Sequence, residues 1–113
     1  MAENLVLDIT DHGDLTVVSV QGEVDLYSAP GLKERVADLV SSGRHRIAVD
    51  LSGVEFMDST GLGVLIGGLK RCKEAGGSLA LVGPREPVVK VLAITGLDKV
   101  FAIHESVEQA SSS

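Results

Sequence analysis

Residues 45–77 read HRIAVDLSGVEFMDSTGLGVLIGGLKRCKEAGG, and the spacing of the apolar residues changes once along this stretch. Up to Ser52 it has the period of a strand, with Ile47, Val49 and Leu51 alternating against Ala48 and Asp50. A short connection, GVE, leads to FMDSTGLG. From Thr60 the period is helical: Leu62, Leu65, Ile66 and Leu69 share a face, and Lys70, Arg71 and Lys73 crowd the last turns, where cations suit the helix dipole. AGG ends the helix. One strand running into one helix through DST is the unit that decides the fold.

Working outward, the unit recurs. Downstream, SLALVG reads as a strand and EPVVKVLAITG as a helix stopped by Gly96. KVFAIH then reads as a short strand and ESVEQA as one or two helical turns. Upstream, Leu32, Val36, Leu39 and Val40 define a helix closed near Gly43, with Ser28 placed to cap it and Pro30 in its first turn. Before that, LVLDIT and LTVVSVQG flank the turn cluster DHGD, a hairpin signal. The order β-β-α-β-α-β-α-β-(α) predicts an α/β fold with a mixed, mostly parallel sheet joined by right-handed crossovers. We expect one domain over residues 1–110 and a frayed tail over 111–113.

Composition narrows the function classes. The chain has 113 residues, 44% of them hydrophobic, and only Tyr27, Phe56 and Phe101 are aromatic, so an aliphatic core is expected. Ten basic against sixteen acidic residues leave a net charge of −6, the wrong sign for nucleic acid or an anionic membrane. Cys72 is the single cysteine, so no intrachain disulfide forms and a reducing compartment is expected. The first residues lack the pattern of an export signal. The longest uncharged run, Ser59–Leu69, holds four glycines and is too short to span a bilayer. These features predict a cytoplasmic protein without membrane insertion.

The DST junction admits several readings. Asp58, Ser59 and Thr60 are all helix-capping types, and capping alone explains one of them rather than three in a row. Gly61, Gly63 and Gly67 spell G-x-G-x-x-x-G, yet a dinucleotide fingerprint should turn directly out of its strand, and Ser52–Asp58 intervene. A P-loop fails because Leu69 stands where its lysine belongs. His12, His45 and His104 are scattered, Ser59 lacks a nucleophile elbow, and Cys72 falls toward the apolar face. No enzyme, metal or cofactor is indicated. Gly63 and Gly67 each cost helix stability, about 1 kcal/mol relative to alanine. They serve tight internal packing or the close approach of a partner's backbone; Val64, read as exposed, favours the partner.

DSTGLGVL after HRIAVDLSGVEF, with GEVDLYSAP upstream and ITGLDKVF downstream, closely resembles the STAS-domain anti-sigma factor antagonists of bacteria. The likeness spans about Leu15 to Phe101. It implies an unphosphorylated protein that binds an anti-sigma factor with serine-kinase activity and so frees a sigma factor. That kinase, which binds the ATP, phosphorylates the serine after the motif aspartate, here Ser59; a PP2C-type phosphatase resets it. The resemblance places Asp58, Thr60, Gly61 and Gly63 at the partner surface, and Asp25 and Ser28 on a second partner-facing loop. Val64 and Gly67 extend that surface along the helix. A phosphate on Ser59 is expected to face free amides at the helix start, leaving the fold unchanged while making the interface anionic. The alternative is a STAS-domain regulatory subunit of a membrane transporter complex. A receiver domain would need paired acids in LVLDITDHGD, which are absent, and a nucleotide-binding enzyme is more distant still.

Overall fold

A computed structural model describes residues 5–113. Residues 1–4, part of the segment read as no export signal and of the expected 1–110 domain, lie outside the described residues. The strands are β1 (Val6–His12), β2 (Leu15–Val24), β3 (Arg46–Met57), β4 (Ser78–Val82) and β5 (Ala102–His104). The helices are α1 (Ala29–Ser41), α2 (Ser59–Glu74), α3 (Glu86–Thr95) and α4 (Val107–Ser112). The sheet order is β1-β2-β3-β4-β5, antiparallel at β1–β2 and parallel elsewhere. This is the expected mixed, mostly parallel α/β fold.

Each crossover steps one strand in the same direction, so right-handed connections put α1, α2 and α3 on one face. Their buried residues, Leu32, Val36, Leu62, Leu65, Leu69, Val88 and Leu92, accordingly join one cluster with Val18, Val20, Ile47, Val49, Leu51, Leu79 and Leu81 of the sheet. A smaller cluster, Leu15, Val17, Ala48, Val82 and Ala110, seals the opposite face under α4. Of the three aromatic residues only Phe101 is buried, so the core is almost wholly aliphatic.

Three expectations are corrected. β3 does not stop at Ser52; it continues to Met57, with register irregularities against β2 between Ser19 and Gln21 and between Gly22 and Glu23. GVE is therefore strand, because a glycine at 53 is what lets β2 lie close: a methyl group there would sit 2.8 Å from Gln21 Cγ. Lys99 lies in a single 3₁₀ turn (Leu97–Lys99), so the last strand begins only at Ala102. Ser28 precedes α1 but makes no side-chain cap bond to it. At the C-terminus α4 extends to Ser112, and Arg46 donates to the carbonyls of Ala110, Ser111 and Ser113 at 3.0–3.1 Å.

Candidate functional site

Because β3 reaches Met57, the chain passes from strand to helix through one residue. Asp58 is extended (φ −98°, ψ −172°), and its Oδ1 accepts from the amides of Thr60 at 2.9 Å and Gly61 at 3.1 Å. It is the N-cap of α2, with the conformation and bonds such a residue needs. Its own amide donates to the Val24 carbonyl at 3.1 Å, tying the helix start to the end of β2. Ser59 is the first residue of the helix and is exposed; Thr60 is half-buried. The amides of Thr60 and Gly61, expected to be free for a phosphate, are thus already taken by a carboxylate.

The absence of an intervening loop also removes one ground for setting aside a dinucleotide fingerprint. Packing supplies a better one. Gly61 is buried, and a methyl group there would lie 2.6 Å from Met57 Cγ and 2.8 Å from Val24 Cγ1. The glycine seats α2 on the sheet and leaves no room there for a pyrophosphate. In addition, the strand order never reverses, so the sheet has no switch-point crevice of the kind that holds nucleotides.

Val24 pairs with Met57, so Asp25 and Asp58 leave adjacent parallel strands side by side, at a strand spacing of about 4.8 Å. Asp25 folds the β2–α1 loop on itself. Its Oδ1 accepts from the amides of Tyr27 at 2.9 Å and Ser28 at 3.0 Å, an Asx-type turn. These donors, Ser28 foremost, hold the Asp25 carboxyl below the ordinary carboxylate range. The Ser28 hydroxyl donates to the Glu23 carbonyl at 2.7 Å and accepts from the Asp25 amide at 3.0 Å. It is only 6% exposed. Ser28, like Gly61, is thus buried beneath the surface that it helps to build.

What the loop presents instead is Leu26, 62% exposed, and Tyr27, 84% exposed, with half-exposed Phe56 on the neighbouring strand end. Sequence reasoning missed these three. For Leu26 and Tyr27 the one available signal was their place between two turn-forming residues, Asp25 and Ser28, where no periodicity assigns them to the core.

The remaining predicted residues follow α2. Gly63 and Gly67 are exposed, and a methyl group on either would meet no atom within 4 Å. Internal packing therefore does not require them; Gly68 fills that role, lying against Leu79 and Val36. Val64 is half-buried rather than exposed. Thr60, Gly63, Val64 and Gly67 line one wall of a mainly apolar channel of about 400 Å³ between α1 and α2. Among the described residues no cluster of three or more potential metal ligands occurs, and no helix is long and apolar enough to cross a membrane.

A sequential five-stranded sheet, with the helix-starting DSTGLG beside a folded β2–α1 loop, is the architecture of a STAS domain. The profile of that family, the STAS domain, matches residues 6–110. The anti-sigma-B factor antagonist of Staphylococcus epidermidis is 35% identical over 105 residues, covering 93% of this chain and 97% of the relative. That of Bacillus subtilis is 38% identical over 100 residues, covering 88% and 91%. A crystal structure of an anti-sigma factor antagonist from Mycobacterium paratuberculosis superposes with a TM-score of 0.87 at 31% identity, covering 96% and 92%. The chain belongs to the STAS-domain family of anti-sigma factor antagonists.

Proposed function

We propose that this chain is a cytoplasmic anti-sigma factor antagonist switched by phosphorylation of Ser59. Unphosphorylated, it binds an anti-sigma factor that is also a serine kinase, and the sigma factor is released. The kinase, holding ATP, transfers the γ-phosphoryl group to Ser59 Oγ, giving phosphoserine, ADP and a proton. A PP2C-type phosphatase hydrolyses the ester with water, returning serine and inorganic phosphate. The chain accepts the phosphoryl group in the first step, gives it up to water in the second, and catalyses neither.

The observation that carries this reading is the placement of Ser59: exposed at the first position of α2, on the edge that also presents Leu26 and Tyr27. Phosphoserine adds about −1.5 to −2 charges. Asp58 precedes the position and Asp25 leaves the neighbouring strand beside it, so a surface complementary to the unmodified edge would meet strong like charge. A hundredfold loss of affinity needs only about 2.7 kcal/mol.

The test is incubation with a cognate kinase and ATP, followed by mass spectrometry and a binding titration. The phosphate is expected on Ser59, with affinity falling about a hundredfold. Full-stoichiometry modification of Ser59→Ala, or unchanged affinity after phosphorylation of Ser59, would overturn the reading.

A further inference from the structure

The α1–α2 channel has a length, a floor and a charge pattern that together describe an occupant. Thr60 and Arg71 mark its ends along α2. Eleven residue steps at ~1.5 Å each make it about 16 Å long, three turns of a helix. Its walls are Pro30 and Val36 on one side and Gly63, Val64 and Gly67 on the other. Gly63 and Gly67 are one helical turn apart and leave their side of the wall bare, so an incoming helix could pack at the close end of the usual 8–10 Å interaxial range.

Two cations flank this apolar floor. Lys33 on α1 and Arg71 on α2 both line the channel, and among the described residues neither has a carboxylate within 4.0 Å. In a chain of net charge −6, two unpaired cations on one channel set a local field opposite to that of the whole. The channel also continues to Thr60, the residue after the proposed phosphorylation site.

We infer that the α1–α2 channel seats a three-turn amphipathic helix of the anti-sigma partner. The helix is apolar on the side that enters and carries carboxylates that meet Lys33 and Arg71. The inference rests on the antagonist reading and extends it from an edge to a continuous surface.

The probe is the kinase that modifies Ser59. With the exposed Lys70, one turn on from Gly67 and outside the channel lining, replaced by a photoreactive benzoylphenylalanine, irradiation of the complex is expected to attach one kinase peptide. That peptide should have apolar residues at i, i+3 or i+4, and i+7, with at least two acids flanking them. The double variant Lys33→Glu/Arg71→Glu should bind at least about tenfold more weakly while still folding and unfolding cooperatively, because both side chains are exposed and only the last-turn cation of α2 is lost to stability. Lys33→Met/Arg71→Met should lose less. If Ser59 is phosphorylated and charge reversal leaves affinity intact, the inference alone falls. It falls equally if the bound kinase gives no crosslink, if the attached peptide lacks that pattern, or if the crosslink joins two copies of this chain. If no such kinase binds or modifies the unaltered protein, the antagonist reading falls and takes the inference with it.

Discussion

Replacing Gly61 and Gly63 one at a time by alanine separates two roles that look identical in the sequence. Both glycines lie in α2, where alanine is intrinsically favoured by up to about 1 kcal/mol. At Gly63 the added methyl meets nothing within 4 Å, so Gly63→Ala should gain most of that amount. At Gly61 the methyl would sit 2.6 Å from Met57 Cγ and 2.8 Å from Val24 Cγ1. Met57 can turn aside. Val24 is β-branched, fully buried and restricted at χ1, so the backbone of α2 or β2 must shift instead. Overpacking of this kind costs about 1–3 kcal/mol, which outweighs the propensity gain. The two variants should therefore differ by about 2 kcal/mol in opposite directions from the parent. At ~4 °C per kcal/mol for a domain of this size, Tm should rise by about 4 °C for Gly63→Ala and fall by about 4 °C for Gly61→Ala. Urea titration should show the same order in midpoint with an unchanged slope. If Gly61→Ala stabilises as much as Gly63→Ala, the close seating of α2 on β2 and β3 is wrong. If Gly63→Ala destabilises, Gly63 is packed inside after all.

Four further outcomes are expected. Asp58→Ala removes the acceptor of two helix amides and should cost about 1 kcal/mol, with Asp58→Asn recovering most of it in a denaturant titration. Asp25 has its carboxyl depressed by the amides of Ser28 and Tyr27, so its contribution to stability is complete above pH 3.8 and disappears as pH falls through its lower folded value. Asp25→Asn should remove that component from the acid limb of a stability–pH curve. Arg46→Met should raise hydrogen exchange across α4 well before the sheet, since Arg46 holds three of its terminal carbonyls. Phosphorylation of Ser59 should move Tm by no more than about 4 °C, because Asp58 already occupies the amides of Thr60 and Gly61 and the dipole term is at most about 1 kcal/mol.

The order of elements was legible because the apolar period switches cleanly between 2 and 3.6 at each junction, and because Gly96 marks a helix end that the structure closes in the left-handed conformation, φ 77°. The end of β3 was hidden. Ser52 and Gly53 look like a turn, but Gly53 is there so that β2 can approach, a fact that resides in Gln21 on another strand. Ser28 carried a capping signature while its hydroxyl is committed to Glu23 and Asp25, and nothing local ranks those partners. The three serines at the terminus read as unstructured for want of any visible anchor. Their anchor, Arg46, lies more than sixty residues earlier. Gly61 and Gly63 share a motif but have opposite environments, which only the packing of Val24 and Met57 distinguishes.

The sheet order explains why this edge suits a protein partner. A nucleotide crevice in an open α/β sheet arises where two crossovers leave in opposite directions and their loops part. Here every crossover steps the same way, so successive strand ends and helix starts stand in a row with no gap between them. At the start of α2 the amides of Thr60 and Gly61 are committed to Asp58 and that of Asp58 to Val24, and the folded β2–α1 loop is held by Asp25 and Ser28. What remains outward is side chain: Ser59, Leu26, Tyr27 and Phe56. An apolar group of that size, set beside the exposed hydroxyl proposed as the phosphorylation site, can be covered by a complementary surface without induced folding, so little ordering cost opposes binding. A charge added to Ser59 then changes what the edge accepts while the bonds that build the edge stay in place.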